Sequence, residues 1–182
     1  MRNEPHLPTS PSLSIRVATP DDASEVSALL EASYTKQLAD DYPPDVLARA
    51  LPLMTKANPR LLASGTYYVV EADIHLVGCG GWSKEAPGSH KVTDGTGHIR
   101  HVATHPEWLR KGVGRTLLSH CCNEAAMAGM KHLECHSTLS AVNFYAVTGF
   151  TIVGPLEMKL APEIFLPGVL LRRDLLKGEG LS

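Results

Sequence analysis

The chain has 182 residues, 43% of them hydrophobic and 20% charged, enough apolar material for one domain with a sizeable core and too little length for two. A formal net charge of −2 argues against a general affinity for nucleic acid, so an anionic ligand would have to be met by a local cluster of cations. No apolar run approaches the roughly 18 residues of a membrane span, MRNEPHLPTSPS lacks a signal-peptide core, and Cys79, Cys121, Cys122 and Cys135 lie in apolar runs; the expectation is a cytoplasmic protein with reduced core thiols and no membrane partner.

Residues 1–12 carry Pro5, Pro8 and Pro11 among polar neighbours and read as a flexible tail, with a second tail over 175–182 and a folded domain between, over 13–174. Leu13 to Ala18 alternates as a first strand. Thr19-Pro20-Asp21-Asp22 is a helix start: a cap residue, a proline and two acids against the dipole. Ala23, Val26, Leu29, Leu30 and Ser33 continue it at helical spacing, and a second helix is expected over Pro44 to Thr55, with Pro52 inside it. The period then changes to two: Thr66–Glu71 and His75–Trp82 read as a strand pair joined at Ala72-Asp73-Ile74.

After a loop over Glu85–Gly97, Gly97–Thr104 reads as a strand. Leu117, Leu118, Cys121, Ala125 and Ala128 mark a long helix closed by Gly129. Lys131–Ser137 is a strand and Leu139–Val147 a short helix; Phe150–Lys159 is a strand broken at Gly154-Pro155, and Gly168–Asp174 completes the sheet. Strand, helix and strand over 97–137 predict a crossover between parallel strands.

The stretch EWLRKGVGRTLL, residues 107–118, sets two glycines among cations at the mouth of the long helix. A dinucleotide fingerprint fails because Leu117 holds its third glycine position, and a nucleotide-hydrolase phosphate loop fails because Lys111 precedes its glycine. A third reading is a turn whose backbone N–H groups converge at a helix N-terminus, which suits a pyrophosphate. Gly112 and Gly114 would then permit close approach of phosphate oxygens, with Arg110, Lys111 and Arg115 around the rim. An ordinary basic surface loop is the competing reading.

LRKGVG resembles the central motif of the GNAT superfamily of N-acetyltransferases, Gln/Arg-x-x-Gly-x-Gly/Ala, apart from Leu109 at its first position. Downstream, TLSAVNFYAVTGF, residues 138–150, resembles the second signature of that family, an Ala-x-x-x-Tyr helix ending in Gly-Phe, with Thr138 where asparagine is frequent. The resemblance covers about residues 13–174. It implies a single α/β domain: a twisted, mixed and mostly antiparallel sheet with a central parallel splay and helices on both faces.

The resemblance also implies acetyl-coenzyme A as co-substrate, with no metal. Its pantetheine arm would lie along Val102, Ala103 and Thr104, and its pyrophosphate on Leu109, Arg110, Lys111, Gly112, Val113, Gly114, Arg115 and Thr116; Thr138, Ala141, Asn143 and Tyr145 would complete the site. The implied activity is acetyl transfer to a primary amine, a small molecule, by direct attack on the thioester. Tyr145 is the candidate acid for the departing thiolate, because a phenol with a pKa of about 10 holds its proton at neutral pH; a core aromatic is the plain alternative. Counting back from Gly112 places His98 where histone-type members carry a glutamate base. Strict alternation would set 98 and 100 on the face opposite 99 and 101 unless a bulge intervenes.

Tyr34, Asp41 and Tyr42 are the candidate acceptor contacts, acid and aromatics suited to a cationic amine. His98, His101 and His105 do not share a strand face, so the nine histidines yield no metal set. A catalytically silent coenzyme A sensor and a nucleotide-binding module are the alternatives from other classes. A homodimer through an open sheet edge is compatible with the pattern.

Overall fold

In the computed structural model residues 11–175 are described; the two expected tails lie almost wholly outside them. The chain runs β1 (Leu13–Val17), α1 (Ala23–Gln37), α2 (Pro44–Met54), α3 (Pro59–Leu62), β2 (Tyr67–Ala72), β3 (His75–Ser83), β4 (Thr96–Thr104), α4 (Val113–Met127), β5 (His132–Thr138), α5 (Val142–Val147), β6 (Thr151–Ala161) and β7 (Ile164–Asp174). Seven strands form one sheet in the order β1-β2-β3-β4-β5-β7-β6. Only β4 and β5 pair in parallel; every other pair is antiparallel.

Periodicity explains which faces are covered. On α4, Val113, Leu117, Leu118, Cys121, Cys122 and Ala125 form the buried stripe. They pack on Tyr68, Val70, Ile99, Leu133 and Cys135 of the sheet. On α1, Val26, Leu29 and Leu30 cover Tyr67, Val69, Cys79 and Ala103. A third cluster, Leu38, Tyr42, Leu47, Ala50 and Leu166, seats α2 over β7. All four cysteines are buried.

Three sequence expectations change. The turn α3 after Asn58 was not foreseen, four residues being too short for a periodic signal; its cap is Asn58 Oδ1 accepting from the Arg60 N–H. Gly154-Pro155 does not break β6, because a register shift between Ile152 and Gly154 absorbs it. The last strand begins at Ile164 rather than Gly168, and its first residues pair with Glu157 to Ala161.

The entry to α1 is fixed electrostatically. Asp22, buried, accepts both Arg16 guanidinium nitrogens at 2.8 and 2.9 Å and the Thr19 N–H at 2.8 Å. Arg16 also donates to Glu71 across the β1–β2 ladder at 3.0 Å. The Arg16 hydrogen bond, acting against burial, holds the Asp22 carboxyl below the usual carboxylate range. A depressed carboxylate contributes stability that is present above its unfolded pKa, about 3.9, and is lost as pH falls through its folded value. Thermal melts followed by circular dichroism should therefore show Tm falling as pH drops below about 4. Asp22→Asn should lower Tm at neutral pH and flatten that acid slope; an acid slope unchanged in the variant would contradict the assignment.

Candidate functional site

The site begins where a ladder stops. β4 and β5 pair only at Thr96↔His132, Gly97↔Leu133 and His98↔Glu134. Beyond that point β5 follows β7 as far as Thr138, while β4 stays with β3 as far as Thr104. The β5-facing backbone of Ile99–Thr104 thus borders an open wedge without a partner strand, and polar backbone groups so placed can pair with an extended ligand.

Inside the wedge β4 carries a bulge. Gly81 pairs with Arg100 and Cys79 with Ala103, so His101 and Val102 together face Gly80. His101 has φ +45°, a left-handed conformation costing a non-glycine residue about 1–2 kcal/mol. The bulge is held by Tyr67 donating to the His101 carbonyl at 2.9 Å and Tyr34 donating to the Val102 carbonyl at 3.2 Å. A Cβ on Gly80 would come within 2.7 Å of Val102, so only glycine leaves room for it. The bulge also resets alternation: Ile99 and Val102 both pack toward α4, while Ala103 packs toward α1. Burial, with Arg100 beside it, pushes the His101 imidazole down to about 4.

At the open end of the wedge the chain turns through Pro106–Trp108 and enters α4. Arg110 and Gly112 are left-handed, with φ +60° and +81°. Lys111 Nζ lies 4.9 Å above the Trp108 ring, a cation–π contact. Leu109, Arg110, Lys111, Gly112, Arg115 and Thr116 are exposed, whereas the Val113 side chain enters the core and offers the outside only its backbone. The two glycines have different reasons. A Cβ at Gly112 would meet nothing within 4 Å, and the left-handed φ is what selects glycine there. A Cβ at Gly114 would fall 3.0 and 3.1 Å from the Phe144 ring and 3.4 Å from Thr104 Oγ1. Close packing of α4 against α5 therefore accounts for Gly114, a role the sequence reading gave to phosphate approach.

Across the wedge, Thr138 ends β5, Ala141 and Asn143 lie at the start of α5, and Tyr145 is 6% exposed against Phe144, Phe150 and Cys135. Burial raises the Tyr145 phenol well above its usual value, so it keeps its proton at any working pH. Burial likewise pushes the neighbouring Cys135 thiol up to about 12. Of the residues expected around an acceptor, Tyr34 reaches the wedge. Tyr42 instead ties the loop after α1 to the rest, accepting from the Leu139 N–H at 2.9 Å and donating to the Pro167 carbonyl, and Asp41 accepts from Ser140 at 2.6 Å.

On the α1 face, at the closed end of the wedge, His98 is 4% exposed, and neither ring nitrogen has a hydrogen-bond partner among the described residues. Glu134 and His136 of β5 share that face. His98 Nδ1 lies 3.9 Å from Glu134 Oε2, and the His98 and His136 rings meet edge-on with centroids 6.2 Å apart. Burial lowers both imidazoles, so both stay neutral near pH 7. Arg100, half-buried, donates to Ser83 Oγ at 2.9 Å and borders a cleft of about 270 Å³ with Asn58, Arg60 and Ser64. The sequence reading missed Glu134 and His136. The alternation of HLECHST was legible, but which face met His98 depended on strand register.

Residues 63–152 match the family model described as an acetyltransferase (GNAT) domain. No curated protein sequence gives a significant match. Among solved structures, the chain is similar to a GCN5-related N-acetyltransferase from Rhodopseudomonas palustris: TM-score 0.70, 23% identity, covering 92% of this chain and 97% of that one. It is similar to PaiA N-acetyltransferase from Thermoplasma acidophilum in complex with coenzyme A: TM-score 0.68, 15% identity, covering 90% and 99%. The ribosomal-protein-S18-alanine N-acetyltransferase from Escherichia coli gives TM-score 0.61, 15% identity and coverage of 94% and 99%. At these identities the likeness establishes the fold.

The packing account of Gly114 has a direct test. Gly114→Ala should destabilise the protein by about 1–3 kcal/mol in denaturant melts, as overpacking does. Phe144→Leu in the same chain should recover part of that loss, a coupling visible in a double-mutant cycle. Strict additivity would remove Phe144 as the reason for the glycine.

Proposed function

The chain belongs to the GNAT acetyltransferase family, and on that premise we propose that it transfers an acetyl group from acetyl-coenzyme A to the primary amine of a small molecule. The observation that carries this reading is the wedge between β4 and β5, open beside a bulge and ending at the glycine turn of α4. The pantetheine arm, amide-rich and extended, pairs with the free edge of Val102, Ala103 and Thr104. The pyrophosphate sits on the exposed turn at Arg110–Gly112 and the first N–H groups of α4, with Arg115 and Thr116 at its rim. Leu109 contributes backbone only, and the cofactor is held by amides more than by side chains.

The chemistry follows from charge and position. The acceptor arrives as an ammonium and must lose a proton before its lone pair can attack. His98, neutral and without a competing hydrogen bond, is the base we assign to that step. Attack of nitrogen on the thioester carbon opens the C=O pair onto oxygen, and the Val102 N–H at the bulge is the donor we assign to that oxyanion. Collapse re-forms the carbonyl, breaks the C–S bond and sends its pair to sulfur. Tyr145, kept protonated by burial, donates to the departing thiolate and is restored by the second proton that nitrogen gives up, while the His98 imidazolium returns its proton to water. The products are an N-acetyl amide and coenzyme A with a free thiol.

The acceptor enters from the α1 face past Tyr34, and the cleft of about 270 Å³ beside Arg100 has the size of a metabolite. Asp41 and Tyr42 act in this scheme by holding the loop that borders the entrance.

Coenzyme A and acetyl-coenzyme A should each raise Tm, by the equivalent of about 2.7 kcal/mol when present at roughly 100 times Kd, and ATP should not. Thiol release across a panel of small amines, in buffer containing EDTA, then tests transfer. His98→Ala and Tyr145→Phe should each lower kcat by about 10²-fold or more while leaving coenzyme A affinity unchanged. Binding without thiol release on any amine would favour the silent sensor, and stabilisation by ATP alone would overturn the cofactor.

A further inference from the structure

His98, Glu134 and His136 are brought together by the last rung of the parallel ladder. His98 and Glu134 are partners in register, so their side chains rise side by side from adjacent strands. His136, two residues beyond Glu134, lies on the same face at the point where β4 has already turned away. One ligand atom from each of the three lies within 4.8 Å of the other two. Cys135, between the two β5 residues, points to the α4 core and stays out of the set.

Two features separate this group from a chance surface cluster. His98 is 4% exposed, and both its ring nitrogens lack a partner among the described residues, an arrangement that is unfavourable for a buried polar group. Glu134, for its part, has no Lys or Arg within ion-pair distance among the described residues; its cross-strand neighbour Arg172 turns to His132 and Asp174 instead. The 3.9 Å from His98 Nδ1 to Glu134 Oε2 is too long for a hydrogen bond. It exceeds by about 0.3 Å the span of roughly 3.3–3.6 Å that two ligands take across one tetrahedral ion at bonds of about 2.0–2.2 Å, a gap that a small side-chain rotation closes.

We propose that His98, Glu134 and His136 form a three-ligand site for a divalent transition-metal ion of the zinc class, with its fourth position open toward the acceptor face. Two imidazoles and one carboxylate are a borderline donor set, suited to Zn²⁺ and Co²⁺ and poorly suited to Mg²⁺ or Ca²⁺. The ion satisfies the buried His98 ring and neutralises Glu134. Glu134 and His136 are partly exposed, which leaves a way in. The ion also occupies the lone pair of the proposed base, so bound zinc inhibits transfer and chelation restores it. That consequence rests on the proposed role of His98; the site itself does not.

The test is direct titration of the untagged full-length chain, stripped with EDTA and dialysed, with Zn²⁺ by calorimetry and with Co²⁺ by visible absorption, no substrate being present. One ion per chain should bind, with the intense d–d bands of four-coordinate Co²⁺. His98→Ala, Glu134→Gln and His136→Ala should each weaken it by about tenfold or more, and His75→Ala, at the exposed start of β3, should not. Retained coenzyme A binding identifies the variants that fold, and the isosteric Glu134→Gln is the one least able to disturb the sheet. Failure to bind an ion, or binding that survives Glu134→Gln and His136→Ala in folded protein, overturns the site. The base assignment fails separately, through undiminished turnover of His98→Ala in EDTA.

Discussion

A seven-stranded sheet in which one ladder closes after three residue pairs is the constraint on which this protein turns. Had β4 and β5 remained paired to their ends, every backbone group between them would be spent on the sheet. By separating beyond His98 and Glu134, they leave an edge of the kind that sheets otherwise hide, but in the interior of the fold, with α1 on one face and α4 on the other.

Much of the surrounding sequence serves to hold that opening in shape. The bulge at His101 and Val102 is costly for the chain, and its carbonyls are secured by phenols from α1 and β2, with Gly80 making room behind. Phe144 packs on Gly114 and against Tyr145, so the start of α4 and the helix carrying Tyr145 are in direct contact. Tyr42 bonds to backbone after β5 and in β7 and brings the loop after α1 to the same end of the sheet. Each device ties together elements that border the wedge.

The closed end of the wedge is chemically different from the open one. The open end is a basic turn with exposed amides, whereas the closed end gathers His98, His136, Glu134 and Arg100 on one face of two strands. A neutral imidazole buried without a hydrogen bond is energetically unfinished. Both the proton transfer proposed for it and the metal ion proposed beside it use the same basic lone pair. The proposed catalysis and the proposed inhibition are therefore two uses of one group.

How much of this could be read beforehand follows from which interactions are local. The stripe on α4, the strand pairs around Asp73, the capped start of α1 and the glycine turn were legible, because periodicity, caps and left-handed turns depend on neighbours within one or two turns of chain. The short α3 was too brief to show a period, and the continuity of β6 through Gly154-Pro155 depended on β7 tolerating a shifted register. Gly114 read as a phosphate contact because the sequence does not reveal that Phe144, thirty positions away in number, lies on top of it. Sequence alone determined the longer helices, the glycine turn and the candidacy of His98 and Tyr145. Where β4 leaves β5, which strand face meets His98, and that Glu134 and His136 join it were decided only in tertiary structure, because strand register is set by contacts between distant segments and one residue of slip or bulge turns a side chain to the other face.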